Sequence, residues 1–68
     1  MPVRVRDVIK LIENDGWSQV AQRGSHRQFK HETKTGRVTI AGAPNKEVPT
    51  GTLRNILKQA GLSKEDLP

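Results

Sequence analysis

The stretch WSQVAQRGSHRQFKH, residues 17–31, decides the fold because it holds two short segments of period-two patterning around a turn. We predict strands over residues 17–22 and 26–31, joined by a tight turn over residues 23–25. A third strand is predicted at RVTIA, residues 37–41, after the polar segment ETKTG. The centre of the chain should therefore be a three-stranded antiparallel meander.

Amphipathic segments flank this meander on both sides. In residues 3–16 and again in residues 49–61, apolar side chains recur at intervals of three and four residues, which is typical of a helix packed on one side. A Ser-x-x-Asp signal at residues 63–66 could begin one further short helical turn, and residues 42–48 have the composition of a loop. The predicted order is α-β-β-β-α, an α+β fold of one domain over residues 1–68, with both helices on one face of the sheet.

The size and composition of the chain restrict where a site can lie. A chain of 68 residues buries roughly 60% of its unfolded surface, so we expect chemistry on an open surface rather than in an enclosed pocket. Cysteine is absent, which excludes disulfides and thiolate metal ligands. With neither a signal-peptide pattern nor an apolar stretch of 18 residues, we expect a soluble cytoplasmic protein.

The net charge of +5 is concentrated in the middle of the chain. Cations and anions balance in residues 1–15 and in residues 47–68, whereas residues 16–46 contain one anion, Glu32, against a larger set of cations. These cations are Arg23, Arg27, Lys30, Lys34, Arg37 and Lys46. Such a localised basic surface attracts polyanions, nucleic acid above all, although a solvated face without a partner is an equal alternative.

The alternation of each strand predicts which side chains share a face. If Phe29, Val38 and Ile40 point toward the helices, the other parity points to solvent. The predicted open-face set is His26, Gln28, Lys30, Arg37 and Thr39. His26 should therefore point outward among cations.

His26 is the candidate catalytic residue of this face. A histidine side chain can accept and donate a proton near neutrality, which suits it to acid–base chemistry. On RNA it could remove the proton of a 2′-hydroxyl, whose oxygen would then attack the adjacent phosphorus. The backbone amides of Gly24 and Ser25 could stabilise the developing charge, so the site would need neither a metal nor another cofactor.

The cations near His26 are candidates for phosphate contacts. From parity and proximity in the sequence we assign this role to Arg23, Arg27 and Lys30. A looser extension of the basic track would comprise Lys34, Arg37 and Lys46. The plainer alternative is that an exposed histidine at a strand start is an ordinary polar surface residue beside a routine turn.

Three further residues have predictions of their own. His31 should lie on the opposite face from His26 as a solvated residue at the strand end, which argues against a two-histidine metal site. Trp17 is a better candidate for a core anchor under the first helix than for a base-stacking platform. The parity of the first strand stays open, because either Val20 or the pair Trp17 and Ala21 could be buried.

Three segments of the chain together resemble the HicA-type toxins of bacterial and archaeal toxin–antitoxin pairs. They are VIKLIENDGW, RGSHRQFKH and GTLRNILKQAGLS, and they occur in the family's order. The resemblance implies a fold similar to the double-stranded-RNA-binding domain and an endoribonuclease activity that cuts messenger RNA. It also implies that His26 is catalytic, that Gly24 and Ser25 shape its turn, and that a HicB-type antitoxin covers the site.

The chain departs from the family pattern at one position. Ala43 lies where many relatives have a histidine in the loop after the third strand, which puts the strength or specificity of the activity in doubt. Two other readings of the same residues remain open. One is a non-catalytic module that binds structured RNA by its shape, and the other is a subunit whose basic face binds an acidic protein.

Overall fold

The structure, a computed structural model, describes residues 3–67 and has the predicted α-β-β-β-α order. Its elements are α1 (Val5–Asn14), β1 (Trp17–Arg23), β2 (His26–His31), β3 (Val38–Ala41), α2 (Thr50–Ala60) and a short 3₁₀ turn (Lys64–Asp66). The three strands form one antiparallel sheet in the order β1-β2-β3, so β2 is the central strand. The predicted meander is therefore confirmed.

The hydrophobic core lies between the two helices and one face of the sheet. Phe29 is fully buried at the centre of β2, and Val38 and Ile40 bury the same face of β3. The helices contribute Val5, Val8, Ile12, Leu53, Ile56, Leu57 and Ala60. Since these apolar side chains occupy one parity of β2 and β3, the other parity forms the open face that was predicted.

A bulge interrupts the alternation of β1. Neither of the two predicted burial patterns, Val20 alone or Trp17 with Ala21, included such a bulge. Trp17 is buried, but the register with β2 shifts between Gln19 and Ala21. Val20 is the extra residue and is 52% exposed, while Ala21 comes to lie opposite Gln28 on the open face. A bulge of this kind reverses the facing of every later residue in its strand. Trp17 is thus a core anchor, as predicted, but Ala21 is not buried with it.

The predicted helix ends are confirmed by backbone geometry. Gly16, with φ of +104°, follows α1, and Gly61, with φ of +70°, caps α2 in the left-handed conformation. At Ser63 the backbone N–H donates to the Asp66 carboxylate at 2.9 Å, which starts the short 3₁₀ turn. Within residues 3–67, no helix combines the length and the apolar character that crossing a bilayer requires.

The loop after β3 packs against the N-terminus of α1. The first N–H groups of a helix need partners outside it, and here the Val5 N–H donates to the Lys46 carbonyl at 2.9 Å. The Arg6 N–H donates to the Pro44 carbonyl at 3.1 Å. The Asp7 carboxylate also accepts the Arg4 N–H at 3.0 Å. The loop is therefore fixed to α1 by main-chain contacts.

The prediction that His31 is a solvated residue is wrong. Its Nδ1 accepts the backbone N–H groups of Thr33 at 3.0 Å and Lys34 at 3.1 Å, so the ring proton must be on Nε2, which donates to the Asp15 carbonyl at 2.6 Å. The ring also meets the Trp17 indole edge-on, with centroids 5.4 Å apart. The parity of His31 was right, but its contacts with Asp15 and with the segment after β2 leave it half-buried.

Candidate active site

His26 begins β2 directly after a two-residue hairpin turn. Gly24 has a φ of +59°, and a glycine at the first turn position supplies the positive φ that such hairpins need. The Gln22 side-chain amide donates to the Gly24 carbonyl at 3.0 Å, and the Ser25 carbonyl accepts the Gly42 N–H at 3.2 Å. The turn is thus held from both neighbouring strands, and it presents His26 exposed on the open face, as predicted.

The neighbours of His26 in the sheet leave its ring accessible. Arg23 lies directly opposite on β1, and Ala41 lies directly opposite on β3. Side chains in such positions have Cβ atoms about 4.5–5.5 Å apart. One side of the imidazole therefore has an exposed guanidinium, while the other side has only a methyl group. A polyanion can approach the ring along this face.

Arg27, which was predicted as a phosphate contact, lies on the opposite face of β2 from His26. It follows the parity of Phe29, and its Nη1 donates to the Gly42 carbonyl at 2.9 Å. Because the N–H of Gly42 binds the Ser25 carbonyl, Arg27 supports the Gly24-Ser25 turn from the opposite face of the sheet. Proximity in sequence was misleading, since adjacent residues of a strand point to opposite faces.

Lys34 also lies outside the predicted basic track. Its Nζ is 2.5 Å from Asp15 Oδ2 and donates to the Ala60 carbonyl at 2.9 Å, so it joins the C-terminal ends of α1 and α2. The hydrogen bond from the Lys34 ammonium lowers the pKa of the Asp15 carboxyl below its ordinary value of 3.8, against a smaller opposing effect of desolvation. The charge of Lys34 therefore serves the fold.

The remaining predicted cations divide between the sheet and the loop. Lys30 is exposed on the open face opposite Ser18. Arg37, just before β3, reaches over the same face, and its Nη1 donates to Gln28 Oε1 at 2.5 Å. Lys46 is exposed in the loop after β3. Three of the predicted cations thus share the open face with His26, namely Arg23, Lys30 and Arg37.

Sequence reasoning missed a second group of cations beside that loop. Arg4 Nη1 donates to the Asn45 carbonyl at 2.6 Å, and Arg6 Nη1 donates to Asn45 Oδ1 at 2.9 Å. In the sequence these arginines are balanced by nearby acids and are about 40 residues from Asn45, so no local pattern could have placed them there. Sequence reasoning also missed the pairing of Gln28 with Arg37.

Comparison with known proteins identifies the family of the chain. The model of the HicA toxin of bacterial toxin–antitoxin systems matches residues 5–62. A chain from a solved toxin–antitoxin complex of Streptococcus pneumoniae is 31% identical, with a TM-score of 0.73, and the match covers 90% of this chain and 100% of that one. No curated protein matches the sequence significantly. The chain therefore belongs to the HicA toxin family of toxin–antitoxin systems.

Proposed function

We propose that the protein is a metal-independent endoribonuclease toxin that cleaves messenger RNA, with His26 as its general base. The observation that carries this proposal is the exposed imidazole on an open sheet face, with the guanidinium of Arg23 directly across from it. Membership of the HicA family supports the same function. No other histidine of residues 3–67 lies on this face, since His31 has the opposite parity and both its ring nitrogens are in hydrogen bonds.

The proposed reaction is an internal transesterification. His26 takes the proton of a ribose 2′-hydroxyl, and the oxygen attacks the adjacent phosphorus. The bond from phosphorus to the 5′-oxygen breaks, which leaves a 2′,3′-cyclic phosphate on one fragment and, after protonation, a 5′-hydroxyl on the other. Candidates for that last proton donor are Ser25, a lysine and water.

The cations of the open face have the complementary role. The guanidinium of Arg23 lies where it can bind the phosphoryl oxygens as their negative charge increases in the transition state. Lys30 and Arg37 extend the positive surface along β2, and Lys30 would hold the phosphate of a neighbouring nucleotide. Gly24 and Ser25 shape the turn that presents His26 and can also offer backbone N–H groups to the phosphate.

The proposed partner is a HicB-type antitoxin that covers the face of His26. The structural neighbour was solved as a toxin–antitoxin complex. In this chain both helices pack on the other face of the sheet, so the face of His26 has no cover of its own among residues 3–67. Cleavage should stop when the purified product of a neighbouring HicB-like gene is added.

Removing the 2′-hydroxyl at the cleaved linkage of the substrate tests the proposed internal attack. The purified protein is incubated with a labelled RNA, and the cleaved linkage is then replaced by its 2′-deoxy analogue. We expect cutting of the RNA in the presence of chelator, a cyclic phosphate end, and no cutting at the deoxy linkage. Cutting of the deoxy linkage would disprove the internal attack, and loss of activity with chelator would disprove metal independence. Binding of RNA without any cutting would favour the non-catalytic module.

A further inference from the structure

Next to His26 on the open face, one amide side chain has a defined orientation. Gln28 follows His26 by two residues in β2, so the two side chains share a face and their Cα atoms are about 7 Å apart. The Nη1 of Arg37 lies 2.5 Å from one end of the Gln28 amide. A guanidinium has only donors, so the atom that faces it must be the amide oxygen. The NH₂ group of Gln28, with two donors, is therefore left unbound by Arg37.

The surroundings of Gln28 leave this NH₂ group open to a ligand. Ala21, which the β1 bulge turns to the open face, lies directly opposite Gln28 on one side, and Thr39 lies opposite on the other. Both are small, and both are exposed. Beside His26, the small side chain of Ala41 likewise leaves room above the sheet. A flat base can lie in this space while its phosphate reaches His26 and Arg23.

We propose that Gln28, oriented by Arg37, reads the base of the nucleotide next to the cleaved linkage and selects guanine. This inference rests on the proposed function for the position of the cleaved phosphate. A free Gln reads adenine with its NH₂ on N7 and its oxygen on the N6 amino group. Here the oxygen is already bound to Arg37, so the pair presents donors alone.

Guanine suits a surface that presents only donors. Its O6 and N7 are neighbouring acceptors on one edge, whereas adenine places an amino donor beside N7, cytosine carries an amino donor at N4, and uracil offers the single acceptor O4 on that edge. Bases of single-stranded RNA expose these edges because they are free of pairing. The Gln28 NH₂ and a free N–H of Arg37 can therefore bind O6 and N7 together, while the amino groups of adenine and cytosine would face donors.

The test replaces the donor end of Gln28 without removing its link to Arg37. In Gln28→Glu the carboxylate still accepts from Arg37, but the two N–H donors are replaced by an acceptor. Gln59→Glu makes the same change of charge at an exposed position of α2, away from the sheet face, and serves as the matched control. Binding is measured in the His26→Ala background, so that selection of a base is separated from cutting. The probe is a pool of short single-stranded RNAs with randomised bases.

We expect the His26→Ala protein to enrich guanine at one position by about five- to 100-fold, from the usual discrimination of a two-bond base contact. His26→Ala with Gln28→Glu should lose this enrichment and shift toward adenine or cytosine, whose amino groups the carboxylate accepts. His26→Ala with Gln59→Glu should keep it. Unchanged guanine enrichment in the Gln28→Glu variant, or no base preference in any variant, would overturn the inference.

A parallel measurement on the intact site separates this inference from the proposed nuclease. Cleavage positions of the protein with His26 present are mapped on the same RNAs, with and without Gln28→Glu. Cutting next to guanine that moves to other bases in the variant supports both proposals. Cutting at the same positions by both proteins overturns the role of Gln28 and leaves the nuclease standing. A base preference that depends on Gln28, without any cutting, supports the base contact and rejects the nuclease.

Discussion

The two histidines of β2 show how strongly the surroundings decide the role of a residue. His26 and His31 lie at opposite ends of the same strand and on opposite faces of the sheet. His26 is exposed beside Arg23 and has no hydrogen bond from its ring to residues 3–67, whereas His31 uses both ring nitrogens to connect α1, β2 and the segment that follows. The first is available for chemistry, and the second holds the fold together. The following substitutions test this contrast, beginning with the largest expected effect.

His26→Ala should nearly abolish cleavage and leave stability unchanged. A positioned general base contributes about 10²- to 10⁴-fold to a rate, and we expect a loss in this range at saturating RNA. Because the side chain is exposed and makes no structural contact, the free energy of unfolding should change by less than about 0.5 kcal/mol. Single-turnover cleavage and denaturant unfolding measure the two effects. A variant that cuts as well as the parent would remove His26 from the mechanism.

His31→Ala should have the converse effect. It removes the acceptor for two backbone N–H groups and the donor to the Asp15 carbonyl, and groups left without partners cost roughly 1–3 kcal/mol in total. We expect this loss in the free energy of unfolding, together with near-normal cleavage at temperatures where the variant is folded. A stable His31→Ala protein with lost activity would contradict the division of roles.

Replacing Gly16, which lies against His31, and Gly24, in the turn before His26, with the same residue compares how much stability each position loses. A Cβ at Gly16 would lie 2.7 Å from His31 Nε2, in a backbone with φ of +104°, so Gly16→Asn should destabilise by roughly 1–3 kcal/mol. At Gly24 a Cβ meets no heavy atom within 4 Å, so Gly24→Asn adds no clash and only the backbone strain of φ +59° remains. Gly24→Asn should therefore cost less than Gly16→Asn, roughly 1–2 kcal/mol. Thermal unfolding of both variants gives the order, and a larger loss at Gly24 would contradict it.

Among these structural substitutions, the smallest effect on the free energy of unfolding is expected at the ion pair between Asp15 and Lys34, whose main-chain groups bind His31. The folded pKa of Asp15 is lowered by Lys34, so the pair stabilises the protein above the ordinary carboxyl pKa of 3.8 and loses this contribution as the pH falls through the lowered value. Both side chains are partly exposed, at 27% and 35%, which limits the contribution to less than about 1 kcal/mol. The difference in unfolding free energy between the parent and Asp15→Asn should be present at pH 7 and shrink toward zero below pH 3.8. If the difference in unfolding free energy between the parent and Asp15→Asn grew as the pH fell, the stabilising role of the Asp15–Lys34 pair would be wrong.

Much of the fold was predictable because it depends on local patterns. The apolar spacing of Val5, Val8 and Ile12 predicts the buried stripe of α1, and the glycines at 16 and 61 predict the helix ends. The alternation around Phe29 correctly separates the two faces of β2 and so places His26 on the open side. These features need only neighbouring residues and the geometry of helix and strand.

Other features depend on contacts between distant segments and left no local signal. The bulge at Val20 lies in a strand of mostly small and polar residues, where no apolar alternation marks the register. Arg27 and Lys34 are basic residues like the rest of the middle part, and only the folded chain shows that their partners are the carbonyls of Gly42 and Ala60. A count of charges along the sequence cannot separate such structural cations from those that stay available to a ligand.

By itself, then, the sequence determined the element order, the core-facing residues of both helices and of β2 and β3, and the exposure of His26 beside a basic turn. The tertiary structure decided which cations share that face and which groups bind His31. It also decided that Ala21 faces the open side and that Arg37 orients the Gln28 amide. The physical reason is that helix and strand periodicity is set by bonds between near neighbours. The partner of a long polar side chain is decided by tertiary packing, because packing determines which backbone carbonyls and side chains lie close enough to bind it.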